Sequence, residues 1–368
     1  MTRRRLVAFG AALSIIAASL SAQAQEKKTF RDLPSAPSKM KGKKKVRKAQ
    51  PKGPSLGGKQ FTRKKGRQLL EGKWNESMRR LNRLIQKTRD DHPDKAEFYY
   101  RMSEMLWERA SATDIQAFAE EEECIARVRG DGAAEDRCTD TRDRKTAGSQ
   151  KFRDKAIEIY IIIIRSFPQY QKLDGVLFAL AFNYQQKQQP EKAKKIYKTL
   201  LRRFPNSRHI PDSLLNFGEI LFDQGNVKSA EKMYGAIVER FKSASVYGYA
   251  RYKLGWCNYN LGRYKTAMGD FLSVLKYSRG RKGGGRNRLT LEKEALKDLV
   301  RTYVHLPNDP SLSKKQRRAL VNPKRAVKFF RKNAPDRYLD LLEKLAELYS
   351  DTGQFKVSTT LYESLINL

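Results

Sequence analysis

The sequence has few of the residues from which catalytic and metal sites are usually built. Its 368 residues include three cysteines and three histidines. The histidines, His92, His209 and His305, lie far apart, outside any H-E-x-x-H arrangement and without a recognisable nucleophile motif. No catalytic residue is assigned, and the chain reads as a non-enzyme. The cysteines have no neighbouring His or Cys to complete a tetrahedral set, so no metal is expected. The run from Gly280 to Arg286 lacks the order of a phosphate-binding loop and follows no strand, so no cofactor is expected either. Acid is scarce as well: 40 Asp and Glu stand against 76 Lys and Arg, a net charge of +36 that favours polyanionic surfaces without naming one. Also missing is a membrane-spanning run. The apolar stretch Leu6 to Leu20 covers 15 residues, short of the ~20 a helix needs to cross a bilayer.

That stretch follows Arg3, Arg4 and Arg5 and precedes Ala22-Gln23-Ala24, the order of a cleaved secretory signal peptide over residues 1–24. Gln25, and not Cys, then opens the mature chain, so no lipid attachment is expected. The product reads as periplasmic or secreted, which argues against nucleic acid as a physiological partner. Residues 25–60 form a basic arm rich in Pro and Gly that cannot bury enough apolar surface to offset its ordering entropy. Up to Leu70, sixteen Lys or Arg stand against only Glu26 and Asp32. Lys43, Lys44, Lys45, Arg47 and Lys48 are the candidate contacts to an anionic envelope polymer or lipid surface; a solvated linker is the plainer reading.

Beyond the arm the chain repeats itself. Gly225, Gly262 and Gly353 each sit between two apolar-periodic segments, followed five residues on by Ala230, Ala267 and Ser358, and four further by Tyr234, Phe271 and Tyr362. The small-x-x-x-large pair recurs at Ala156/Tyr160, Ala193/Tyr197 and Ala326/Phe330. At helical spacing, the small residue lets two helices approach while the ring fills the gap to the next pair. Upstream segments carry their own stripe, as in Leu177, Leu180, Ala181 and Tyr184, or Leu214, Phe217, Gly218 and Leu221. Ala193, Ala230 and Ala267 stand 37 residues apart.

These patterns resemble the tetratricopeptide repeat, whose units run at about 34 residues. Pro168 and Pro205 match the family's closing proline, while Lys242, Arg251 and Asn258 depart from its pattern. The resemblance implies an all-α solenoid of about seven helical hairpins. We expect degenerate repeats over 61–109, core repeats over 151–278, a Gly/Arg loop over 279–289 and further repeats over 290–368. Pro190 and Pro323 suit first helical positions, and Asn322 suits an N-cap. Residues 110–150 do not fit the period and read as an inserted hairpin. There Cys124 and Cys138, 14 positions apart across a turn holding Gly130 and Gly132, are expected to form a disulfide in an oxidising compartment. Cys257 reads as a buried small hydrophobe.

In the resembled family the first helix of each unit lines a concave groove. Side chains off its packing stripe are the candidate partner-binding residues: Tyr100 and Trp107, Phe178 and Phe182, Leu215 and Phe222, then Tyr249, Tyr252, Trp256 and Tyr259. Aromatics on a solvent face are unexpected unless something covers them, which points to an apolar or aromatic peptide of a partner protein. The competing reading is that superhelical winding or the cysteine hairpin covers them within the chain. Glu219 and Asp223 occupy central positions where a carboxylate-clamping relative would be basic. The stretch Tyr249 to Gly262 resembles envelope repeat proteins of myxobacteria, including gliding-motility components, and more loosely outer-membrane assembly lipoproteins of the BamD type. That likeness implies a scaffold among envelope proteins. The alternative function is a polyanion-binding protein, with cell wall, lipopolysaccharide or nucleic acid as ligand and the solenoid as carrier.

Overall fold

Helix after helix forms where apolar residues recur three and four positions apart, and among the described residues there is no strand. The structure, a computed structural model, describes residues 63–280 and 286–367, with side chains over 69–280 and 291–367. The segment expected to be a signal peptide, the basic arm with its lysine cluster and residues 281–285 of the Gly/Arg loop lie outside the described residues.

The chain opens with α1 (Arg63–Lys87), α2 (Pro93–Val128) and α3 (Gly132–Ser166). Six helices of near-equal length follow: α4 (Leu173–Gln186), α5 (Pro190–Arg203), α6 (Ile210–Asp223), α7 (Val227–Arg240), α8 (Tyr247–Asn260) and α9 (Tyr264–Arg279). Then come α10 (Arg286–His305), a short 3-10 turn (Leu306–Asn308), α11 (Lys314–Leu320), α12 (Pro323–Asn333), α13 (Tyr338–Asp351) and α14 (Phe355–Ile366). Pro190 and Pro323 stand at the starts of α5 and α12, and the Asn322 side chain accepts from the Lys324 amide at 2.9 Å. The fold is an all-α stack of tetratricopeptide-like hairpins.

The small-and-large pairs account for the stacking. Ala156, Ala193, Ala230 and Ala267 are 0% exposed, and Tyr160, Tyr197, Tyr234 and Phe271 no more than 1%. Each such ring stabilises the fold by about 2 kcal/mol through burial alone. Apolar residues gather in three successive clusters along the stack rather than one hub, as expected when each unit packs on its neighbours. The last pair differs: Ser358 is buried, but Tyr362 is 38% exposed, because no helix of the described residues packs over it.

The connections between paired helices share one geometry. Gly225, Gly262 and Gly353 have φ of 75°, 72° and 75°, and the residue after each closes a backbone bond to the carbonyl five positions back. Gln188, 37 residues before Gly225, takes the same left-handed conformation with φ 55° and the same bonds.

The cysteine-bearing stretch is not separate from its neighbours. α2 and α3, 36 and 35 residues long, run unbroken through both ends of the 110–150 segment, which forms the outer part of one long antiparallel pair. Ala110, Ala117 and Ala134 are buried and let the helices approach. Between them Asp114 accepts from Ser149 and Arg153, a buried polar tie. Nearer the tip, Glu121 pairs with Arg142 at 3.1 Å and Glu120 with Lys145. Cys124 and Cys138 form a disulfide with their Cα atoms 5.9 Å apart.

Candidate protein-binding face

The side chains read from the sequence as groove-lining lie on α2, α4, α6 and α8, the first helices of successive hairpins. Nine of the ten are half-buried, neither free in solvent nor lost in the core. Leu215 departs from the expectation. It is 7% exposed and belongs to the apolar cluster shared by α4 to α8, because its position faces the neighbouring unit rather than a groove.

Towards the N-terminal end the rings form a ladder. Trp107 on α2 meets Phe182 edge-on at 6.3 Å, Phe182 stacks on Phe178 at 6.4 Å, and Phe178 stacks on His209 at 5.1 Å. Burial lowers the pKa of that imidazole, so it stays neutral and stacks as an aromatic. Tyr100 lies beside Tyr170 at 6.0 Å, with the Lys172 ammonium 5.6 Å above its ring. Burial and then the Glu104 carboxylate raise its phenol pKa well above the usual range.

Towards the middle, two carboxylates organise the band. Glu219 on α6 accepts from the Tyr234 hydroxyl, from Lys253 at 3.2 Å and, more weakly, from Tyr249 at 3.4 Å. Lys253 also sits 4.1 Å from the ring centre of Phe222, so one ammonium joins the carboxylate to the aromatic face. On α10, Asp298 accepts from the Tyr252 hydroxyl at 2.7 Å and from the Trp256 indole N–H at 3.1 Å, both on α8. Asp298 is 5% exposed, and that burial pushes its carboxyl up to about 6, against the opposing pull of its hydrogen bonds and of Arg301. Trp256 and Tyr259 meet edge-on at 5.3 Å, and Tyr259 continues to His305 at 5.7 Å. The packing of one unit against the next therefore covers these rings in part. Sequence reasoning missed Asp298 and Lys253 as organisers; an acid inside the apolar stripe of Leu296, Leu299 and Val300 is the signal that could have found Asp298.

The remaining reactive groups are quiet. Cys257 is fully buried and its thiol is pushed up to about 12, mainly by that burial, so it stays protonated. The His92 side chain accepts from the Asp94 amide at the start of α2, and His305 ends α10. Among the described residues no group of three His, Cys, Asp or Glu is placed to hold a metal ion. No described helix is long and apolar enough to cross a membrane. A cleft of about 700 Å³ between α1 and α2 is open, with Leu81, Leu84, Phe98 and Met105 beneath charged rims.

Comparison with known proteins agrees with the geometry. Residues 176–207 and 215–281 each match tetratricopeptide repeat families. No curated protein matches the chain. Among solved structures, the apo form of RapI is similar, with 14% sequence identity and a TM-score of 0.37, covering 79% of this chain and 88% of that one. Tetratricopeptide repeats commonly serve protein interaction through the face of their stacked first helices. Given the matched spans, the 37-residue period and the buried small-and-large pairs, residues 176–281 form tetratricopeptide-type repeats within the all-α stack.

Proposed function

We propose that the chain is a non-enzymatic adaptor that captures an apolar or aromatic segment of a partner protein along the face of α4, α6 and α8. The observation that carries this reading is the pair of half-buried ring runs, Trp107, Phe182 and Phe178, then Tyr249, Tyr252, Trp256 and Tyr259. Glu219 and Asp298 hold several of these rings in fixed orientations, so little side-chain freedom is left to lose on binding. Rings that are both held and part-exposed are suited to be anchor points of an interface.

The reading extends to place and company. The signal-peptide pattern and the Cys124–Cys138 disulfide favour an exported protein working in the periplasm or outside the cell. The likeness to envelope repeat proteins favours a scaffold in an envelope, outer-membrane assembly or gliding-motility complex. The basic arm would then hold it against an anionic envelope polymer or lipid surface.

The test is site-specific photo-crosslinking in native envelope. A crosslinking residue would replace Gln186 or Asn260, which follow Phe182 and Trp256 by one helical turn, or Lys198 on the opposite helix α5. A discrete protein adduct from 186 and 260 but not from 198 supports the groove. Equal adducts from all three positions, or none from 186 and 260, reject it.

A further inference from the structure

Between Lys314 and Arg337 ten Lys or Arg stand against one acid, Asp336. Elsewhere the chain tends to neutralise its cations: Arg142, Arg153, Lys172, Arg251, Lys253 and Arg279 each lie against a carboxylate. Here it does not. Lys314, Lys315 and Arg318 on α11 and Lys324, Lys328 and Lys332 on α12 are all exposed, and none has a carboxylate within ion-pair reach among the described residues.

The local structure explains why these charges face outward together. α12 buries Ala326 and Phe330 and half-buries Phe329, spending its apolar side on the fold. Its outer side is left with Lys324, Lys328, Arg331 and Lys332, which with Val327 line a shallow depression of about 410 Å³. α11, opened by the Ser313 and Gln316 capping box, adds its lysines beside it. Like charges gathered without counter-charge repel one another, so they weaken the free fold and gain most from an external anion.

We infer that the α11–α12 face is a docking surface for the anionic phospholipid headgroups of a membrane, separate from the aromatic band and independent of the adaptor reading. Three features favour this occupant. The cations are dense and spread over a face, as in the basic clusters that bind acidic lipid surfaces. No exposed ring accompanies them, since Tyr338 is half-buried beneath Arg331 at 5.0 Å, so there is no stacking platform for single-stranded nucleic acid. No large apolar side chain projects from the outer side of α12, so docking is electrostatic and peripheral, without insertion.

The test uses the full chain with phosphatidylcholine vesicles, alone or mixed with phosphatidylglycerol, in co-sedimentation at low and high salt. The triple variant K324E/K328E/K332E is compared with wild type and with the arm variant K43E/K44E/K45E. All three substituted α12 positions are exposed, and circular dichroism checks that the helices persist. Wild type should bind only the mixed vesicles, with partitioning that falls as salt rises. The α12 variant should partition less by roughly tenfold or more, whatever the arm contributes. Unchanged binding by the α12 variant, equal binding of wild type to phosphatidylcholine alone, or preference for a single-stranded oligonucleotide over the mixed vesicles would each overturn the assignment.

Discussion

The ring of Phe271 lies against the backbone of Gly255, so closely that a Cβ at position 255 would meet it at 2.8 Å. Phe271 is fully buried and belongs to the C-terminal apolar cluster, so it cannot swing aside. Helix propensity alone would favour Ala over Gly by about 1 kcal/mol, but overpacking costs typically 1–3 kcal/mol. Gly255→Ala is therefore expected to lower stability. Gly269→Ala, in the next helix with nothing within 4 Å of its Cβ position, should raise it by up to about 1 kcal/mol. Urea unfolding of both variants checks the pair, and the same sign for both would contradict the close approach.

Gln188 occupies a left-handed turn position that glycine fills 37 and 74 residues later. A side chain there carries steric strain of roughly 1–2 kcal/mol that glycine lacks, partly offset by the freedom glycine adds to the unfolded chain. Gln188→Gly should stabilise by about 0.5–1 kcal/mol, and Gly225→Ala should destabilise. Thermal unfolding distinguishes the two; a lowered midpoint for Gln188→Gly would show that the conformation is not strained.

Asp298 makes stability depend on pH in an identifiable direction. Its folded value of about 6 lies above the ordinary 3.8, so between those limits the folded chain keeps a proton that the unfolded chain has lost. The stability it contributes is fully present below about pH 4 and is lost as pH rises through about 6. A shift of about two units corresponds to at most ~3 kcal/mol. Asp298→Asn keeps an oxygen acceptor for Tyr252 and Trp256 and does not ionise, so it should remove this slope. The observable is the difference in urea midpoint between variant and wild type across pH 4 to 7. It should widen in favour of the variant as pH rises; a constant difference would exclude Asp298 as its source.

How much of this was legible in the sequence follows from the range of the interactions concerned. Ala193 and Tyr197, or Ala230 and Tyr234, meet within one helical turn, so their packing role is written locally and the period exposes it. Gly225 and Gly262 advertise their turns, whereas Gln188 hides the same backbone behind a residue that gives no conformational signal. Asp298 reaches Trp256 across 42 positions and Lys253 reaches Glu219 across 34. Such pairings depend on how far each unit rotates over the last, which no local pattern encodes. For the same reason Leu215 reads as an off-stripe groove residue yet lies in the core.

The disulfide and the polar tie beneath it are expected to act at different depths of the same helical pair. Closing a loop of this size stabilises by about 3 kcal/mol in the chain-entropy account, but Cys124 and Cys138 lie near the tip of α2 and α3, beyond the core repeats. Reduction, or Cys124→Ser with Cys138→Ser, should raise amide exchange chiefly over residues 115–145 while leaving α4 to α9 protected. Asp114→Ala acts nearer the repeats. It leaves the Arg153 guanidinium, 5% exposed at its side chain, without its carboxylate. Breaking a buried pair in this way costs about 3–5 kcal/mol, somewhat less here because Asp114 keeps 15% exposure. Asp114→Ala should therefore loosen α3 as far as Tyr160 and reach the first apolar cluster, where the double cysteine variant does not. Exchange measured on both variants decides the matter: equal protection of Ile157 and Tyr160 in the two would show that the Asp114–Arg153 tie does not couple the tip to the repeats.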